Sequence, residues 1–349
     1  MAEAAKLSER KAAILSALVH VYIRTGEPVG SEAVATAARL GVSSATIRNE
    51  LAALEELGYL SQPHTSAGRV PTDLAYRCYV DALPPRPKLP DPERRAVLEF
   101  FDEALADVDE ILRGTTQLLS RLTHYASLAL APSRQERALV RLELLSLGQA
   151  MMLLAVLDTG RVDKCVIDLP QGAGEADVER VSRGVLERLR GQTLGEARAH
   201  VAERGKATGE PERAILARVD EALATIGRQE EGDHVVVGGA ANIAGEDSFA
   251  RRETLRHIFE ALERETEVLG LLRQATVPRE GPVSVTIGRE SPMTGQWEAS
   301  VVAAPYGAGD RAFGTIGVVG PIRMDYLAAI SAVRVVAERL SAAVEALTR

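Results

Sequence analysis

Cysteine is nearly absent from the chain: Cys78 and Cys165 are the only two in 349 residues, far apart and neither beside a second thiol. That excludes a disulfide framework and any cysteine-rich zinc or iron–sulfur site. Lysine is scarce as well, at five residues, so the 41 basic residues are nearly all arginine. They are outnumbered by 49 acids, for a net charge of −8. A generic polybasic coat for nucleic acid is missing, and any claim of DNA binding must rest on a local site. Five Phe, seven Tyr and one Trp are too few for a platform that stacks single-stranded nucleic acid. Long apolar runs are lacking too: the longest, Ala150 to Leu157, has eight residues, and the N-terminal stretch carries no apolar core. Neither a signal peptide nor a bilayer span is expected, and the reading is a cytoplasmic protein without a membrane partner. No fixed-period repeat is visible, which removes solenoids and propellers.

What is present is enough for two or three domains, since 46 % of the residues are hydrophobic and a domain takes about 100–200 residues. Residues 1–83 read as helices with a short β element and end at Pro84-Pro85-Arg86-Pro87-Lys88-Leu89-Pro90. Four prolines in seven residues cannot be helix interior, so residues 84–90 are expected to be a semi-rigid linker and a domain boundary. From Asp91 to about Leu130 the pattern is helical, with Val97, Phe101, Leu105, Val108 and Leu112 at spacings of three or four. Three β-rich runs between Ala138 and Leu169 are separated by Leu147-Gly148-Gln149 and Asp158-Thr159-Gly160-Arg161, which predicts an antiparallel meander. Residues 175–230 and 248–275 are expected to be helical, with a short strand at 234–238. Strands follow at Val283–Gly288, Glu298–Ala304 and Phe313–Val319, before a last helix from about Asp325. The fold class is α+β: an antiparallel sheet split by a long, mostly helical insert.

The informative segment runs from Gly30 to Leu60. Ser31 is a good N-cap for a helix through Arg39, Gly41 suits its left-handed C-terminal turn, and Ser43 or Ser44 caps the next helix. Two short helices across a glycine turn make a helix-turn-helix candidate. On the second helix Ile47, Leu51 and Leu54 fall within about 40° of one line and define the buried stripe. The opposite arc carries Ala45, Asn49 and Ala52, flanked by Arg48 and Thr46. Small residues permit close approach to a major groove, and Arg or Asn reads guanine or adenine edges with two hydrogen bonds. Tyr59 to Gln62 and Arg69-Val70 suit two strands around Pro63-His64-Thr65-Ser66-Ala67-Gly68, a wing whose polar tip lies on phosphates or reaches the minor groove. The candidate DNA-contacting set is Ser43, Ser44, Ala45, Thr46, Arg48 and Asn49 from the helix, with His64, Thr65, Ser66 and Arg69 from the wing. Residues 1–83 hold eight basic residues against nine acids, so placed side chains must do the reading, and a dimer with two sites is needed for strong specific binding.

These residues resemble the HrcA family of bacterial heat-inducible transcription repressors. The stretches that carry the resemblance are Gly26-Glu27-Pro28-Val29-Gly30-Ser31, Val42 through Leu51, Gly58-Tyr59-Leu60, and Pro63 through Thr72. Tyr76-Arg77-Cys78-Tyr79-Val80, Val237-Gly238-Gly239 and Gly320-Pro321-Ile322-Arg323-Met324-Asp325-Tyr326 add to them. The resemblance implies a winged helix-turn-helix at 1–83, a GAF-like domain at 91–174 and 276–349, and a dimerising insert at 175–275. It also implies repression of chaperone operons through an inverted-repeat operator of the CIRCE type, read by a homodimer. Support by the chaperonin GroEL is implied as well, lost when heat shock diverts the chaperonin to unfolded clients.

Two other classes stand against this reading. An enzyme finds little support: the six histidines (20, 64, 124, 200, 234 and 257) show no metal-ligand spacing. Gly172-Ala173-Gly174 and Gly238-Gly239 lack the rest of a nucleotide loop, and Ser146 and Ser291 lack a nucleophile elbow. The alternative is a winged-helix regulator whose GAF-like domain senses a small molecule, although no charged or aromatic set specifies a ligand. No cofactor or metal is expected.

Overall fold

A computed structural model describes residues 7–39, 41–64, 68–103, 108–130, 138–158, 162–228, 235–242, 270, 272, 282–296, 298–308 and 311–347. The head is built from α1 (Glu9–Thr25), α2 (Ser31–Ala38), α3 (Ser44–Glu56), the strands β1 (Leu60–Ser61) and β2 (Val70–Pro71), and α4 (Asp73–Asp81). Ser8 caps α1 by accepting from the Lys11 N–H, and Gly26 closes it in the left-handed conformation at φ 70°. Ile14, Leu15, Leu18 and Val19 of α1 are buried with Ile47, Leu51 and Leu54 of α3. β1 and β2 pair antiparallel, Leu60 opposite Pro71 and Ser61 opposite Val70. This is the winged helix that the spacing predicts, with a wing only two residue pairs deep at its base.

Beyond the head come α5 (Asp91–Glu103), α6 (Val108–Thr123), β3 (Ala126–Leu130), β4 (Leu139–Ser146), β5 (Ala150–Leu157) and β6 (Val162–Asp168). They are followed by α7 (Glu175–Gly184), a short 3-10 turn at Leu186–Leu189, α8 (Leu194–Lys206) and α9 (Glu212–Arg228). The chain then gives β7 (Val235–Gly238), β8 (Ser284–Ile287), a 3-10 turn at Gly288–Glu290, α10 (Pro292–Gln296), β9 (Ala299–Ala308), β10 (Arg311–Pro321) and α11 (Tyr326–Leu347). A five-stranded antiparallel sheet runs β7-β3-β10-β9-β8, with Ile316 opposite both Ala129 and Ala304. α6 and α11 pack on this sheet, and α5 packs against α11. Among the described residues no helix is long and apolar enough to cross a membrane.

Two expectations change. The helix predicted to run to about Leu130 stops at Thr123, His124 turns left-handed at φ 61°, and Ala126–Leu130 becomes β3, buried at every position. A strand buried on both faces has no alternation, so its apolar run is indistinguishable from a continuing helix face. The meander forms as predicted, but as a separate sheet, β4-β5-β6. Its inward residues Leu142, Leu144, Met151, Leu153, Ala155 and Leu157 share a second core with Val178, Val181, Leu194, Val201 and Ile215 of α7–α9. The meander therefore packs with α7–α9 and not with the five-stranded sheet, and β4–α9 form one packed unit that starts ahead of β4 rather than at residue 175. It leaves and rejoins the large sheet between neighbouring strands, since β3 and β7 pair directly, Leu128 opposite Val237. The helices expected over 248–275 lie almost wholly outside the described residues.

Candidate DNA-binding interface

α3 is positioned by three devices. Ser43 caps it, its Oγ accepting from the Thr46 N–H at 3.1 Å and lying 2.9 Å from Thr46 Oγ1. Ser44 is tied to the preceding helix through Ser31, Oγ to Oγ at 3.0 Å. Ser31 does not cap α2 as expected: the N-cap is Gly30, and the Ser31 hydroxyl joins the two helices of the motif instead. Arg39 at φ 49° and Gly41 at φ 66° both take the left-handed conformation in the turn.

The third device is Glu50, on the buried side of α3. Its carboxylate accepts from Arg10 Nε at 2.8 Å and is paired with Lys11 Nζ at 2.7 Å, so two cations of α1 grip α3 from behind. The Lys11 hydrogen bond, with Arg10 adding to it against the cost of burial, holds the Glu50 carboxyl below its ordinary value. A depressed carboxylate pKa stabilises the fold above the unfolded value of about 4.3 and loses that contribution as pH falls through the folded pKa. The melting temperature of the chain is expected to exceed that of Glu50→Gln by a constant margin near neutral pH, and the margin should shrink once pH drops below about 4. A margin that stays constant into acid would show that the carboxylate is not held in its ionised form. Helix periodicity alone misses Glu50, but an acid at the edge of the buried stripe, about 40° from Leu54, is the signal for a buried ion pair.

The outward arc matches its expected composition. Ala45, Arg48, Asn49 and Ala52 are exposed, and neither Arg48 nor Asn49 engages a partner among the described residues. Two polar side chains with free donors thus stand in the first turns of a capped helix, between two alanines that keep the surface low. Thr46 is half-buried beside them.

The wing is only partly described. His64 is exposed at its start, whereas Thr65 and Ser66 lie outside the described residues. Arg69, expected as a phosphate contact, is engaged within the fold. Its backbone exchanges two 2.9 Å hydrogen bonds with Val29, its guanidinium pairs with Glu55 of α3 at 2.8 Å, and its Nε is buried with no partner among the described residues. The side chain braces the wing against the back end of α3. Arg69→Ala is therefore expected to leave the salt dependence of DNA binding almost unchanged, shifting its slope by less than about 0.5, and to cost up to about 1 kcal/mol of stability. A slope lower by about one unit would mean that the guanidinium leaves Glu55 for a phosphate.

Comparison with known proteins agrees with this geometry. Residues 6–81 match the model of the winged helix-turn-helix transcription repressor, HrcA DNA-binding, and residues 109–330 match the HrcA protein C terminal domain. Heat-inducible transcription repressor HrcA of Thermobifida fusca is 43 % identical over 335 residues, covering 95 % of each chain. The repressors of that name from Streptomyces avermitilis and Moorella thermoacetica are 39 % and 36 % identical, over 95 % and 99 % of this chain and 97 % and 100 % of theirs. A crystal structure described as a hypothetical protein superposes with a TM-score of 0.64 at 24 % identity, over 98 % of this chain and 100 % of that one, and so shares the fold. The chain belongs to the HrcA family of heat-inducible transcription repressors.

Proposed function

We propose that this chain represses chaperone operons by binding an inverted-repeat operator of the CIRCE type as a homodimer, in the cytoplasm at the nucleoid, with GroEL maintaining the active form. The observation that carries the reading is the exposed arc of α3, where Arg48 and Asn49 stand beside Ala45 and Ala52 without a partner among the described residues. The capped end with Ser43, Ser44 and Thr46 and the start of the wing at His64 complete the expected contact surface, and Thr65 and Ser66 belong to it by their place in the wing. An inverted repeat needs a two-fold symmetric reader. The insert offers a surface for one: the face of β4-β5-β6 turned away from its helices carries Leu145, Met152 and Val166 in one row and Val156 beside Val162 in another, with Val162 and Val166 more than half exposed. The row between them, Glu143–Leu154–Lys164, is apolar at its centre and charged at its edges, and a face of this mixed kind fits a second copy of itself.

The test is fluorescence anisotropy of the full chain on an inverted-repeat duplex and on a scrambled duplex of equal composition, each with and without chaperonin. The repeat should be favoured by at least about 1000-fold, and chaperonin should raise the fraction of protein that binds. Equal affinity for the two duplexes under both conditions would sink the repressor reading.

A further inference from the structure

The stretches Tyr76–Val80 and Gly320–Tyr326 meet in space, although more than 200 residues separate them, at the junction between the head and the five-stranded sheet. Arg77 of α4 grips Glu290 with two 2.6 Å bonds, from Nε and Nη2, and Nη2 also donates to the Val285 carbonyl at 2.7 Å. Arg323 donates from Nη1 to the Ile23 carbonyl at the end of α1, at 3.1 Å, and its guanidinium lies where a Cβ on Gly26 would stand, 2.9 Å away. Asp73 accepts from the Arg289 N–H at 3.0 Å. Between these polar contacts the Tyr76 and Tyr326 rings stand 5.9 Å apart, and Tyr326 is fully buried with its hydroxyl donating to the Ile322 carbonyl. Head and sheet share one hydrophobic core. The proline linker is fastened too: Leu89 is buried, and Arg334 of α11 donates to the Pro87 carbonyl at 3.0 Å.

We propose that Arg77 and Arg323 are positioning residues that fix the angle of the DNA head on the sheet domain and thereby set the half-site spacing that the dimer accepts. The inference rests on the dimeric repressor reading. One added base pair moves the second half-site by about 3.4 Å and turns it by about 35°. A head on a free seven-residue linker, which reaches about 25 Å when extended, follows such a shift with little loss. A head clamped at both the end of α1 and the middle of α4 cannot follow. The loss then appears as a fall in the effective concentration of the second head at its site. Neither arginine lies on the α3 surface that faces the bases, so loosening them leaves the reading of a single half-site intact.

The experiment takes the tightest inverted repeat selected from a random duplex pool by the full-length chain, then lengthens and shortens its spacer one base pair at a time. Affinities are measured for the wild type, Arg77→Ala, Arg323→Ala, the double variant and Arg77→Lys, with a duplex bearing one half-site as reference. The wild type should lose about tenfold or more for one base pair either way, and the alanine variants less than about threefold, while half-site affinity stays within about twofold. Arg77→Lys, which keeps the charge but not the fork, should fall between. If Arg77→Ala does not fold, Arg323→Ala and Arg77→Lys carry the test. A double variant with the wild-type spacing profile, or with half-site affinity falling as far as operator affinity, overturns the inference. A wild type that prefers no inverted repeat to a scrambled duplex overturns the repressor reading, and this inference with it.

Discussion

Gly68→Ala is expected to cost about 3 kcal/mol of stability and to take operator binding with it. Gly68 stands just ahead of β2, where the return strand of the wing crosses the segment between α1 and α2. A Cβ there would lie 2.5 Å from the Val29 carbonyl carbon, 2.6 Å from its oxygen and 2.7 Å from the Pro28 carbonyl carbon. All three are backbone atoms, so no side-chain rotation relieves the clash. The chains must separate, and the atoms nearest to them are the two Val29–Arg69 hydrogen bonds, each worth about 1 kcal/mol net. Separation also pulls Arg69 from Glu55 and frees the wing from α3. Gly30→Ala is the control: nothing lies within 4 Å of a Cβ at Gly30 and its φ is −83°, so the loss there should be about 1 kcal/mol or less, that of a poorer N-cap. Denaturant midpoints of the two variants decide the matter, and equal midpoints would show that the wing base accommodates a methyl group.

The α3 face was legible in the sequence because its meaning is local. Ile47, Leu51 and Leu54 recur at helical spacing and are buried, and the residues half a turn away are exposed, as periodicity requires. The β4–β6 meander was legible for the same reason, its strands being joined by short turns. Partnership across the chain was not legible. β3 pairs with β7 and β10, more than 100 residues downstream, and nothing in Ala126–Leu130 says so. The meander could be read as strands but not assigned to a sheet, because alternation gives the buried face without naming what covers it. Arg69 shows the same limit at the site. A cation beside a polar loop suits a phosphate, and only the fold reveals that Glu55, fourteen residues earlier, already holds it. The matching runs at 76–80 and 320–326 have no shared periodicity, and their joint role as a clamp exists only once the head is docked.

Arg48→Ala and Asn49→Ala are each expected to cut operator preference by about 30-fold or more while leaving the fold unchanged. A side chain with two hydrogen bonds to a base edge contributes about 1–3 kcal/mol of discrimination. If the chain reads its operator as a dimer, each substitution acts at both half-sites and the loss is roughly 2–6 kcal/mol, from about 30-fold to above about 10,000-fold. Both side chains are exposed and have no partner among the described residues, so stability should change by less than about 0.5 kcal/mol. The charge of the head sharpens the outcome. With eight basic residues against nine acids in residues 1–83, there is little sequence-independent attraction to keep a non-reading dimer on DNA. The variants should therefore leave the duplex rather than slide along it, and their affinity for the operator should fall toward that for scrambled DNA. Retained preference in both variants would remove Arg48 and Asn49 from base readout. A fall that is equal on operator and scrambled duplexes for Arg48→Ala, with a salt slope lower by about one unit, would assign that arginine to a phosphate instead.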